Sequence, residues 1–221
     1  LQVIEPLLEQ YVASLPTQKG REKLTGPILA IPGKKTVHFT TDMVHPVTTF
    51  YACNHIKGHF SNKQTLAYKL LSDILDIVYT EKLREEQGGT YSVSADIAVK
   101  QLPQPAVYMT ILFRTDSAKI ANLTPIVYDE LAKIAAQGPR AEDLQKVKEH
   151  AKKVYADQQI ANGYWLNRLV DAQFYGKDSQ ANYLRDLEKI RAKDIQNNKQ
   201  EEIKMKKYSE LSKKEQKELY D

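Results

Sequence analysis

The chain has 221 residues, 42% of them hydrophobic and 27% charged, a globular composition with room for one large domain or a domain plus part of another. Its formal charge of +4 is spread among interleaved Lys, Arg, Asp and Glu, which excludes the strong single-sign field of a nucleic-acid or anionic-membrane surface. No run approaches the roughly 18 apolar residues of a membrane span, and a single cysteine excludes an internal disulfide or a multi-cysteine zinc site.

In chain order, Ile4, Leu7, Leu8, Tyr11, Val12 and Leu15 fall at helical spacing, so residues 4–15 are predicted as an amphipathic helix stopped by Pro16. Residues 16–34 carry Gly20, Gly26, Pro27, Pro32 and Gly33 among charges, the composition of a linker between two structural units. The start, Leu1-Gln2-Val3-Ile4-Glu5-Pro6, has neither an initiating Met nor a basic leader, which suggests a piece of a longer protein. Thr36–Thr40 and Val47–Lys57 read as strands. Ser61 opens a helix, with Gln64 completing a capping box and Ala67, Leu70, Leu71, Ile74 and Val78 forming an apolar stripe. Period two returns in Tyr91–Lys100 and in Val107–Phe113, joined across Gln101–Pro105 as a hairpin. Asp116 or Ser117 is expected to cap a helix ending at Gly138-Pro139, and helical patterns then run to about residue 198, with breaks near Asn162-Gly163 and at Gly176. This order predicts an α+β fold, an antiparallel sheet with helices on one face and a helical run after it. Lys199–Asp221 alternates Lys with Glu and is expected to be exposed and weakly ordered.

Candidate chemistry is sparse. His55 and His59 straddle a strand end with Gly58 between them, and His38 and His45 have no carboxylate at ligand spacing, so these read as surface or structural histidines. Lys146-Val147-Lys148-Glu149-His150 matches the second half of an inverted zinc motif, H-x-x-E-H, but Lys146 stands where the first imidazole is needed. Zinc hydrolysis requires that ligand, so no catalytic metal site is written in the chain. Cys53, inside Phe50-Tyr51-Ala52-Cys53, is expected as a small buried thiol. No nucleophile elbow, phosphate loop or dinucleotide fingerprint is present.

The segment Leu83-Arg84-Glu85-Glu86-Gln87-Gly88-Gly89-Thr90-Tyr91 breaks a local rule, because two acids in the last turn of a helix oppose its macrodipole. The glycine pair can fold the chain back so that Arg84 and Tyr91 point at one place, where a guanidinium and a phenol make good donors to peptide carbonyls. An alternative fits the same spacing: Arg84 pairs with its own acids and Tyr91 fills the core beside Val93.

This segment resembles the Arg/Tyr signature of the pitrilysin/insulinase family of zinc peptidases, in which Arg and Tyr lie seven residues apart in the C-terminal half. Two further stretches agree in order: Glu5–Pro16 resembles the helix closing the preceding domain, and Asn162-Gly163-Tyr164-Trp165-Leu166 resembles the start of a late helix. The resemblance covers roughly residues 1–198. It implies a division into a terminal helix and linker (1–34), a C-terminal, non-zinc-binding α+β domain (35–198) and a charged tail (199–221). It implies that Arg84 and Tyr91 bind the peptide substrate and that no residue here is catalytic. Zinc then belongs to an N-terminal catalytic half, on the same full-length chain or on a separate subunit. The same fold also serves as an inactive scaffold in processing or respiratory complexes. One departure is plain: the family continues to a final strand after Gln196, where Asn197–Asp221 is a charged run.

Overall fold

The computed structural model describes residues 2–16, 47–102 and 105–200, with side chains to residue 196. The expected strand Thr36–Thr40, His38, His45, the linker after Pro16 and the tail beyond Gln200 lie outside the described residues. Helix α1 spans Ile4–Leu8 and continues as π-helical turns over Glu9–Ala13. Its apolar residues, from Ile4 to Leu15, are all exposed, so its stripe finds no partner among the described residues.

Three antiparallel strands form the sheet: β1 (Thr48–Lys57), β2 (Val93–Lys100) and β3 (Ala106–Thr115), in the order β1-β3-β2. Cross-strand register sets Thr49 opposite Arg114 and Val93 opposite Phe113. One face carries Phe50, Ala52 and Ile56 of β1, Ala95 and Ile97 of β2, and Val107 to Phe113 at alternate positions of β3, all packed into the core. The other face holds Tyr51 and Cys53, both exposed. Cys53 is therefore not a buried thiol: with Phe50 and Ala52 turned inward, the two-residue period forces the cysteine outward.

Helix α2 (Asn62–Tyr79) starts at the expected capping box, with Ser61 Oγ accepting from Gln64 N–H and Gln64 Oε1 accepting from Ser61 N–H. Its predicted stripe lies on the sheet, yet Leu66, Leu75 and Tyr79 are buried too, so the helix is covered on more than one side. Helix α3 (Ile120–Gln137) also lies against the sheet, and α4 (Ala141–Gln158), α6 (Tyr183–Lys189) and α7 (Ala192–Gln200) pack against the helical layer. Helix α5 (Asn162–Tyr175) starts at the Asn162 of the resemblance and buries no residue. It ends at Gly176 in the left-handed conformation. Asn162-Gly163 thus opens this helix, and the break itself falls at residues 159–161.

The free edge of β2 is closed by helix side chains. Asp76 Oδ1 accepts from Ala95 N–H at 2.6 Å, and Ser72 Oγ donates to Ala95 O at 2.7 Å while accepting from Ile97 N–H at 3.3 Å. An edge satisfied in this way offers a passing strand few groups to pair with. Burial pushes the Asp76 carboxyl above the ordinary carboxylate range, against the lowering effect of the Ala95 bond.

Candidate functional site

The last turns of the α2 column are π-helical, Thr80–Glu86, with Leu83 fully buried and the next residue, Arg84, exposed. Gly88 ends the helix in the left-handed region at φ +52°, where its N–H donates to Arg84 O at 3.1 Å. Gly89 has a different reason to lack a side chain: a Cβ there would sit 2.4 Å from Leu123 Cδ2 of α3. Its N–H donates to Leu83 O at 2.9 Å.

The segment after the glycines is tied down by side chains from elsewhere. Thr90 Oγ1 has two carbonyl acceptors in reach of its one proton, Ser92 O at 2.8 Å and Arg114 O at 2.7 Å. Thr115 Oγ1 donates to Gly89 O, and Lys119 Nζ donates to Gly88 O at 3.0 Å. With Thr90 buried and anchored, the next residue must face outward, and Tyr91 is 88% exposed. Its ring lies beside the Arg84 guanidinium, 5.7 Å from Cζ to the ring centroid. The structure thus brings the pair together. Neither side chain makes a hydrogen bond or ion pair with a described residue.

The alternative of a core-filling Tyr91 and an Arg84 paired with its own acids does not describe this geometry. Lys82, one turn back, pairs with Glu86 and lies 3.3 Å from Glu81. Arg140, at the head of α4, reaches Glu81 at 2.6 Å and Asp143 at 2.6 Å. The Arg140 hydrogen bond holds the Glu81 carboxyl below its ordinary range. Lys82 thus takes Glu86, one of the two last-turn acids, Arg140 takes Glu81 one turn earlier, and Arg84 pairs with none of the described acids.

Sequence reasoning missed Thr90, Thr115, Lys119 and Leu123 as supports of the pair. Alternation in β3 carried two residues past Phe113 would have set Thr115 inward and Arg114 outward. The cap of α3 also differs from expectation. The helix begins after Lys119, with no side-chain cap, because Ser117 Oγ is bonded to Thr48 Oγ1 at 2.7 Å and residues 117–119 form a turn.

Of the histidines, His55 stacks on Tyr108 with centroids 5.9 Å apart, while His59 and His150 are exposed. Among the described residues no group of His, Cys, Asp and Glu could hold a metal ion. The side chains around Lys146–His150 do not fit zinc: the motif position is an exposed ammonium.

Residues 1–150 match the family model described as the peptidase M16 inactive domain. No curated protein sequence matches the chain. Among solved structures, a mutant of the ferredoxin protease FusC in complex with Arabidopsis ferredoxin aligns with TM-score 0.73 at 15% identity, over 89% of this chain and 22% of that one. The periplasmic protease PqqL from Escherichia coli aligns with TM-score 0.62 at 15% identity, over 71% of this chain and 18% of that one. A chain of complex III from Candida albicans aligns with TM-score 0.53 at 14% identity, over 71% of this chain and 40% of that one. At these identities the likeness is one of fold. The chain spans about a fifth of the FusC and PqqL chains.

Proposed function

We propose a peptide-gripping role from one premise: this chain belongs to the peptidase M16 (pitrilysin/insulinase) family, as an example of its inactive domain. In this reading Arg84 and Tyr91 hold the backbone of a peptide substrate, and cleavage belongs to zinc in a complementary N-terminal half, on the same full-length chain or on a separate subunit. The observation that carries it is the pairing of two exposed donors, neither bonded to a described residue, across a helix end and a loop that Thr90, Thr115 and Lys119 tie down. Donors fixed in advance orient a peptide and stabilise charge on its carbonyl without reorganising as it binds.

The division into residues 1–34, 35–198 and 199–221 fits this role. Among the described residues α1 buries none of its apolar side chains, which supports assigning it to a neighbouring unit. The test is kinetic. In the intact protein, Arg84→Ala and Tyr91→Phe should each lower kcat/KM for peptide cleavage by about 10²-fold with zinc content unchanged. Wild-type turnover in both variants would remove the assigned role.

A second reading has its own support, since the complex III chain shares the fold: an inactive scaffold subunit of a larger assembly. The two separate on whether an H-x-x-E-H half accompanies this domain in the same reading frame or an adjacent gene. Its presence supports the gripping role, and its absence from both supports the scaffold.

A further inference from the structure

A cleft of about 380 Å³ opens next to Tyr91, lined by the Gly88–Tyr91 segment, Arg114, Asp116 and Lys119. Two cations face it against one acid. Arg114 projects from the outer face of β3, is exposed, and pairs with no acidic side chain among the described residues. Lys119 is half exposed, gives one bond to Gly88 O, and stands 3.8 Å from an open, solvated Asp116. Lys119 also occupies the N-cap of α3, whose first turn has no acid, so a positive side chain sits where the helix dipole is itself positive. Thr90 binds Arg114 O, so the cleft and the Arg84/Tyr91 pair share one rigid loop.

We infer that this cleft is a carboxylate subsite: Arg114, with Lys119 beside it, takes an acidic group of the peptide whose backbone is held at Arg84 and Tyr91. The inference rests on the gripping role proposed above and adds a substrate class to it. The carboxylate is either an Asp or Glu side chain or the peptide's C-terminus, since both present the same two oxygens to a guanidinium fork. Arg114 is then a specificity-determining residue, and it favours peptides with an acid at one fixed distance from the gripped bond.

The experiment is a fluorescence-anisotropy titration of labelled decapeptides against the intact, zinc-depleted protein. One Glu or one Gln is walked through an otherwise neutral sequence, with free and amidated C-termini in parallel. At one position the Glu peptide should bind about tenfold tighter than its Gln partner, or the free C-terminus tighter than the amide, as a charge-assisted bond allows. Arg114→Gln should bring that ratio near one and Arg114→Glu should reverse it. Arg84→Ala should weaken both members of each pair alike. An acid-to-neutral ratio that is the same in Arg114→Glu and wild type would overturn the subsite while leaving the gripping role standing. Undiminished binding of every peptide by Arg84→Ala and by Tyr91→Phe would overturn the gripping role, and the subsite with it.

Discussion

Tyr91 keeps a large aromatic ring in solvent, with the Arg84 guanidinium beside it and an anchored loop behind it. A cation beside an exposed ring contributes roughly 0.5–1 kcal/mol, enough to bias the two side chains towards each other but not to stabilise the fold. Replacing either should therefore lower stability by no more than about 1 kcal/mol. The glycines behind the pair behave differently. Gly89→Ala drives a methyl into Leu123 and should cost about 1–3 kcal/mol by thermal or urea unfolding, with part of the loss recovered in the Gly89→Ala/Leu123→Ala double variant. Gly88→Ala meets no neighbour but must hold φ +52°, for about 1 kcal/mol. Equal, negligible costs at both positions would mean that the loop is not built as described. The two glycines looked alike in sequence as permission for a turn, whereas one is needed for its dihedral and the other for its missing Cβ.

At the scale of elements, the edge of β2 is closed by Asp76 and Ser72, and this has a pH signature. Burial raises the Asp76 pKa in the folded chain, so the native state holds that proton more tightly than the unfolded state does. The stability this group contributes is complete below the ordinary carboxylate range near pH 4 and is lost as pH rises through the raised value. Asp76→Asn keeps an acceptor for Ala95 N–H and removes that dependence. Its melting temperature relative to wild type should move upward between about pH 3.5 and pH 7. A difference that is flat or moves downward over that window would contradict the burial of Asp76. Most elements were legible in the chain because local rules agreed: the Ser61/Gln64 capping box, the alternation of Val93, Ala95 and Ile97, and the Gly138 stop all describe the structure. Departures came from partners distant in sequence. Thr115 extends β3 to reach Gly89, and Ser117 is drawn to Thr48 rather than to a helix N-terminus. Cys53 turns outward on the strand face away from the helices. The Arg84/Tyr91 proximity was readable from the glycine turn, but the ion pairs around it were not: Lys82 takes Glu86 from within the helix, and Arg140 reaches Glu81 from the head of α4.

At the scale of the molecule, the sheet and helices form a platform that positions two donors and carries no metal chemistry among the described residues. Purified alone, the chain should hold no stoichiometric zinc by elemental analysis and should cleave no peptide. One zinc per chain would mean that Lys146–His150 or residues outside those described form a site after all. The aligned part of this chain spans about a fifth of the FusC and PqqL chains. The division of labour between gripping and cutting is then the central claim. Binding of an uncleavable peptide analogue to the zinc-depleted intact protein tests it most directly, because cutting is removed and gripping remains. Wild type should still bind the analogue without zinc, and the Arg84→Ala/Tyr91→Phe double variant should bind it at least tenfold more weakly. Equal affinity in the two proteins would contradict the role given to this pair.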